Sequence, residues 1–138
     1  MLTLTDELRQ RLLVASLEAR TRSHSPYSGY AVGAAILDEQ GRIHVGANME
    51  NAAYPQGWCA EATALGAMRM AGGLRACAVL VTGPGPHILT PCGGCRQKLR
   101  EFAAPELLIM AGDPTGIRQV WSLEQLLPFS FGPEHLKL

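Results

Sequence analysis

Trp58-Cys59-Ala60-Glu61 leads into Ala62-Thr63-Ala64-Leu65-Gly66-Ala67-Met68-Arg69-Met70, a run whose alanine, leucine and methionine content reads as helix. Gly72-Gly73 supplies its stop. A soft metal ligand and a carboxylate, two residues apart, therefore stand at the start of a helix. Pro91-Cys92-Gly93-Gly94-Cys95 opens a second helical run, which extends to about Phe102. Three thiols and one carboxylate at two helix N-termini suit a catalytic zinc centre, because three thiolates leave zinc's fourth position for water. Cys59, Cys92 and Cys95 are the candidate ligands. Glu61, close to the metal but aimed differently, is the candidate proton carrier. The unpaired N–H groups at each helix start also favour thiolate over thiol.

Outward from this pair of helices, the pattern predicts an α/β chain. Thr3 or Thr5 can cap a first helix, with Asp6 and Glu7 in its first turn. Leu4, Leu8, Leu12, Ala15 and Ala19 recur at helical spacing, and Ser25-Pro26-Tyr27-Ser28-Gly29 is a loop. Ala31 to Leu37 is a strand of small residues, Asp38 to Gly41 a turn, and Arg42 to Asn48 the hairpin partner. Cys77 to Thr82 and Glu106 to Ala111 read as buried strands, and Ile117 to Trp121 as a weaker one. Gly112 to Gly116 is a turn, Ser122 caps a short helix to Leu127, and Pro128 to His135 is loop. A hairpin followed by alternating strands and helices predicts a three-layer α/β/α sandwich on a mixed five-stranded sheet. Residues 1–138 are expected to form one domain.

Composition narrows the function classes. Twelve Lys and Arg balance twelve Asp and Glu, and no basic stripe is present to displace counterions from a polynucleotide. A small neutral substrate is expected instead. The start, Met1 to Glu7, lacks the basic and apolar regions of a leader, and the uncharged run Ala76 to Cys95 is broken by Gly83-Pro84-Gly85-Pro86. A cytoplasmic protein without a membrane span is the expectation. There, four cysteines favour metal binding over disulfides, with Cys77 as an ordinary buried thiol. Met68 and Met70 read as core or interface filler, and His24, His44 and His135 as surface residues.

Other readings of these residues stay open. Cys92-Gly-Gly-Cys95 alone could be a redox pair or half of a structural zinc site. A closed, non-catalytic site would need a fourth ligand, for which His87 is the candidate, but it has no use for Glu61. The polar segment Asn48-Met49-Glu50-Asn51, at a strand end before Cys59, can bind a ligand or be a solvated turn.

Three cysteines around a non-ligand Glu, with Pro-Cys-x-x-Cys downstream, is a known pattern of zinc-dependent nucleobase deaminases. Over almost its whole length the chain resembles the small homotetrameric cytidine deaminases. The matching pieces are Tyr27-Ser28, Val32-Gly33-Ala34-Ala35, Asn48-Met49-Glu50-Asn51-Ala52, Tyr54-Pro55, Cys59-Ala60-Glu61, Pro91-Cys92-Gly93-Gly94-Cys95-Arg96-Gln97, Leu126-Leu127-Pro128 and Phe131-Gly132-Pro133-Glu134. The resemblance implies zinc on the three cysteines, Glu61 as proton shuttle, and Asn48 with Glu50 on the ribose 3′-hydroxyl. It also implies base-side contacts from Tyr30, Phe131 and Ala60, and Tyr54 reaching the site of a neighbouring subunit in a tetramer with shared sites. The implied reaction is hydrolytic deamination of cytidine and deoxycytidine in pyrimidine salvage.

Three positions depart from that family. Ala62 stands where an Arg usually donates to the sulfurs, so helix N–H groups and Arg96 are expected to do part of that work. Tyr30-Ala31 replaces the usual Phe-Pro, and Trp58 a smaller aliphatic residue. A cytosine-bearing antibiotic such as blasticidin S, or a modified cytidine, is the alternative substrate.

Overall fold

The computed structural model describes residues 3–136; Met1 and Leu2 of the amino-terminal stretch, and the last two residues of the 1–138 span, lie outside the described residues. Thr5 starts the first helix, α1 (Asp6–Arg20), by accepting a hydrogen bond from the Leu8 backbone at 3.1 Å on its side-chain oxygen. Strands β1 (Gly33–Asp38) and β2 (Ile43–Ala47) form the hairpin, and the 3₁₀ turn Tyr54–Gln56 precedes α2 (Ala60–Met70). Then follow β3 (Ala76–Thr82), α3 (Gly93–Glu101), β4 (Leu108–Asp113), β5 (Gly116–Ser122), α4 (Leu123–Leu126) and α5 (Pro133–Leu136). The sheet order is β2-β1-β3-β4-β5, antiparallel except for the β3–β4 pair. The predicted mixed five-stranded sheet is present.

Period-two alternation divides the sheet's side chains between two cores. Ala35, Leu37, Ala78, Leu80 and Met110 face Leu12 and Leu13 of α1. Ala34, Ile36, Val79, Val81 and Ile109 face Ala60, Ala64, Leu65 and Met68 of α2 and Leu99 of α3. Each fully buried Leu, Ile, Val or Met contributes about 1.5–3 kcal/mol. Two glycines let the layers close. A Cβ on Gly33 would lie 2.1 Å from the Ser16 carbonyl oxygen, and one on Gly46 would lie 2.5 Å from the Ala60 carbonyl oxygen. α2 thus rests directly on the backbone of β2.

Several element ends differ from the sequence expectation. β1 begins at Gly33 rather than Ala31 because side chains take the preceding carbonyls: Asn48 Nδ2 donates to Tyr30 and Arg20 Nε to Ala31, both at 2.8 Å. β4 starts two residues later than expected and continues to Asp113, where a bulge lets Asp113 pair with Gly116 inside the expected turn. The tail is not all loop. Pro133 opens a helical turn, α5, since its fixed φ and missing N–H cost nothing at that position. Cys77 is half-buried rather than buried, and it lines an open surface cleft of about 580 Å³ with Glu39, Arg75 and Glu106. Among the described residues, no helix is long and apolar enough to cross a membrane.

Candidate metal centre

Beyond β2 the chain keeps an extended path, and this path locates Cys59. Met49 and Trp58 exchange two backbone hydrogen bonds of 2.9 Å, and Met49 also bridges His24. Cys59 follows immediately as the N-cap of α2, its carbonyl accepting from Thr63 N at 3.1 Å. Cys92 is the N-cap of α3 in the same way, its carbonyl accepting from Arg96 N at 3.0 Å. Cys95 falls in the first turn of α3 and is 1% exposed. Two helix starts therefore deliver the three thiols to one point.

The three sulfurs lie within 4.8 Å of one another, and Cys59 Sγ is 3.9 Å from Cys92 Sγ. A tetrahedral zinc with Zn–S bonds of about 2.3 Å separates its sulfurs by about 3.8 Å, so the donor set fits zinc in both softness and spacing. The thiols respond unequally to this setting. Burial, and then the charges of their neighbours, push Cys59 and Cys95 up. Burial also works against the Cys92 thiolate, but the Cys95 N–H and the two neighbouring thiols hold its pKa below the usual value. Glu61, in the first turn of α2 and only 6% exposed, has its pKa raised by burial, little offset by its own backbone N–H.

Arg96 does not donate to the sulfurs. Its guanidinium is spent on Pro91 O and Leu126 O at 2.8 Å and on Thr90 Oγ1 at 3.0 Å. It braces the loop that carries Cys92 against α4, which corrects the expectation drawn from Ala62. His87 does not join the thiols either. It lines a separate crevice with Gly83, Gly85, Asp113 and Arg118, and among the described residues no histidine or carboxylate joins the cysteine group.

The polar segment after β2 is engaged by the loop from Ser23 to Val32. Asn48 Oδ1 accepts from Val32 N at 2.9 Å and from Ser23 Oγ, while its Nδ2 donates to Tyr30 O. Glu50 Oε1 accepts from the Tyr27 and Ser28 backbones at 2.9 and 3.1 Å, and Oε2 accepts from Ser28 Oγ. These contacts, led by the Ser28 hydroxyl, hold the Glu50 carboxyl below the usual range. Sequence reasoning assigned no role to Ser23 or Ser28; the available signal was a serine beside a glycine in a Ser-Pro-Tyr-Ser-Gly turn, where Gly29 has φ +68°.

A cleft of about 360 Å³ opens between Tyr27, Ser28, Glu50, Asn51, Tyr54 and Gly57. Asn51 closes a local turn by accepting from Ala53 N at 2.8 Å. The ring of Tyr54 tilts against Tyr27 at 5.8 Å and is otherwise exposed. Tyr30 is partly exposed, with its hydroxyl beside Gly83. Phe131 is exposed, stacks on His135 at 5.1 Å, and has its carbonyl held by Gln97 Nε2 of α3 at 2.9 Å. The Ala60 methyl belongs to the core, which leaves its backbone as its contribution to the start of α2.

Known proteins are similar to this chain in sequence and fold. Residues 6–111 match the cytidine and deoxycytidylate deaminase zinc-binding region. The cytidine deaminase of Halalkalibacterium halodurans is 35% identical over 128 residues, which span 93% of this chain and 97% of that protein. A cytidine deaminase of Mycobacterium tuberculosis is 40% identical over 119 residues, 86% of each chain. The crystal structure of cytidine deaminase from Burkholderia pseudomallei superimposes with a TM-score of 0.80 at 36% identity, covering 88% of this chain and 98% of that one. A fold match at this level, a zinc-type thiol triad and a family match across most of the length agree: this chain belongs to the cytidine and deoxycytidylate deaminase zinc-binding family.

Proposed function

We propose that this chain, acting as one cytidine deaminase-like domain, hydrolyses cytidine and deoxycytidine to uridine and deoxyuridine with release of ammonia. The observation that carries this reading is the buried carboxyl of Glu61 two residues from Cys59, whose sulfur shares one point with those of Cys92 and Cys95. These three thiolates would hold zinc, which when bound supplies the Lewis acidity that makes water a competent nucleophile near neutral pH. Glu61 takes a proton from the attacking water and gives it to the N3 ring nitrogen. It then takes the remaining proton from the hydroxyl now on C4 and passes it to the amino group, which leaves as ammonia while C4 becomes a carbonyl. Burial suits Glu61 to this work, because it raises the pKa of the carboxyl and so makes it a better proton acceptor than an exposed one. Asn48 and Glu50 hold the sugar, and Tyr30, Phe131 and the backbone of Ala60 flank the base.

Charge favours the free nucleoside over its monophosphate. The cleft beside Glu50 is lined by no cation among the described residues, and its one ionised group is a carboxylate, so a phosphate would meet repulsion there. The exposed Tyr54, Trp58, Met70 and Phe129 support assembly as a homotetramer in which Tyr54 reaches a neighbouring site. Pyrimidine salvage in the cytoplasm is the corresponding role.

The decisive measurement is the ultraviolet change on mixing zinc-loaded protein with cytidine, beside a Glu61→Ala control. Decay to the uridine spectrum, absent in the control, is the expected result. No decay at one zinc per chain would refute the substrate, and a control of near-normal rate would refute the role of Glu61.

A further inference from the structure

The loop preceding β1 leaves the polar pair Asn48 and Glu50 with a definite remainder of hydrogen-bonding capacity. A carboxylate offers about four acceptor positions and a carboxamide two acceptor and two donor positions. Glu50 Oε1 is filled by two backbone N–H groups, of Tyr27 and Ser28, and Oε2 is half filled by Ser28 Oγ. One acceptor position on Oε2 is left. Asn48 Oδ1 is filled by Val32 N and Ser23 Oγ, and one of its two Nδ2 donors goes to Tyr30 O. One donor is left. One acceptor and one donor together match a single hydroxyl group, which gives one hydrogen bond and takes one.

We infer that Ser28 is a positioning residue for sugar recognition, its side-chain hydroxyl fixing the rotation of the Glu50 carboxylate so that one Oε2 lone pair faces the substrate. The inference rests on the reading that Asn48 and Glu50 hold the sugar. The geometry is built for this purpose by the turn from Ser25 to Gly29. Gly29 N closes this turn by donating to Ser25 O at 2.9 Å, with Gly29 at φ +68°, and within it the N–H groups of Tyr27 and Ser28 converge on the one oxygen Glu50 Oε1. Successive N–H groups in such a turn form a concave anion-binding nest. Ser28 Oγ also accepts from Tyr30 N at 2.9 Å, so the hydroxyl proton is directed to Glu50 and not shared with the backbone. Without the hydroxyl the carboxylate keeps its two Oε1 contacts but pivots about them, and Oε2 has two open positions where the substrate requires one.

The consequence is a KM effect confined to substrates that carry the recognised hydroxyl. Steady-state deamination of cytidine and of 3′-deoxycytidine is measured for the zinc-loaded wild type, Ser28→Ala and Ser28→Thr. The wild type is expected to favour cytidine strongly in kcat/KM. Ser28→Ala should raise KM for cytidine about tenfold, the size of one charge-assisted hydrogen bond, with kcat within about threefold. For 3′-deoxycytidine, Ser28→Ala and wild type should agree within about twofold, because the lost contact has no hydroxyl to serve. Ser28→Thr, which keeps the oxygen, should recover most of the cytidine KM. Equal losses on both substrates would mark Ser28 as merely structural and overturn the inference, as would no loss on either. A wild type that does not distinguish cytidine from 3′-deoxycytidine would overturn the sugar reading of Asn48 and Glu50, and the role of Ser28 with it.

Discussion

Two carboxyl groups stand at opposite ends of α2, both nearly sealed from water, and they titrate in opposite directions. Asp38, at the far end, has a fully buried side chain. Arg42 Nε and His44 Nε2 each bond to its Oδ2 at 2.8 Å, and the Gln40 and Arg42 backbones donate to Oδ1 at 2.9 and 3.0 Å. Arg42 also ties the cluster to the last turn of α2 through Ala71 O. Burial alone would raise Asp38, but these partners, led by His44, outweigh it and bring its pKa down to about 2. Glu61, in the first turn, is comparably buried but has no such partners, and burial moves it upward. Desolvation sets the cost of charge in both places; the partners decide its sign. One end of the helix is anchored by a satisfied ion, while the other holds a carboxyl ready to exchange its proton.

That contrast can be broken most forcefully at Glu61. Glu61→Ala should lower kcat by about a thousandfold, yet zinc content should hold and the urea midpoint should stay level or rise, since a poorly solvated carboxyl is removed. A marked fall in the midpoint would mean Glu61 has a structural role like that of Asp38. The reverse is expected at Asp38. Asp38→Ala leaves Arg42 and His44 without their common acceptor and should cost about 3 kcal/mol in urea unfolding, with turnover of the folded protein unchanged.

The pH dependence of stability sharpens the comparison further. The folded pKa of Asp38 is below its unfolded value of 3.8, so the unfolded chain binds more protons between the two. Its contribution, about 2 kcal/mol, is complete above about pH 4 and fades as the pH falls through about 2. Urea unfolding at successive pH values should show this slope in the wild type, and a shallower one in Asp38→Asn. The smallest effect belongs to His87. His87→Ala should leave one zinc per chain by elemental analysis; loss of the metal would revive a closed four-ligand site.

The sequence made the chemistry at α2 and α3 legible because two of the thiols are helix caps and the third lies in the first helical turn, and such positions are local. Cys59 and Cys92 were readable from the residues beside them, as was Ser122, whose capping box with Gln125 the fold contains. The hairpin, the βα alternation and the five-strand sheet followed from period-two patterns. What remained hidden depended on contacts distant along the chain. The commitment of Arg96 to Leu126 O could not be read from Cys-Arg-Gln, and the start of β1 at Gly33 rather than Ala31 depends on side chains at Arg20 and Asn48. Cys77 is hydrophobic enough for a core, but its exposure follows from the open cleft beside Ala104 and Leu107.

The bridge between Met49 and Trp58 has a further meaning for how such an enzyme can change. It joins the two ends of the excursion 50–57, so the chain leaves and returns at a fixed point just ahead of Cys59. Segments closed in this way tolerate insertion and substitution well, because the closing entropy grows slowly with length. Tyr54 and Asn51 are therefore free to drift, and with them the wall presented to the substrate, while the sulfur of Cys59 keeps its position. Variation in substrate range can accumulate within this closed loop without renegotiating the metal centre.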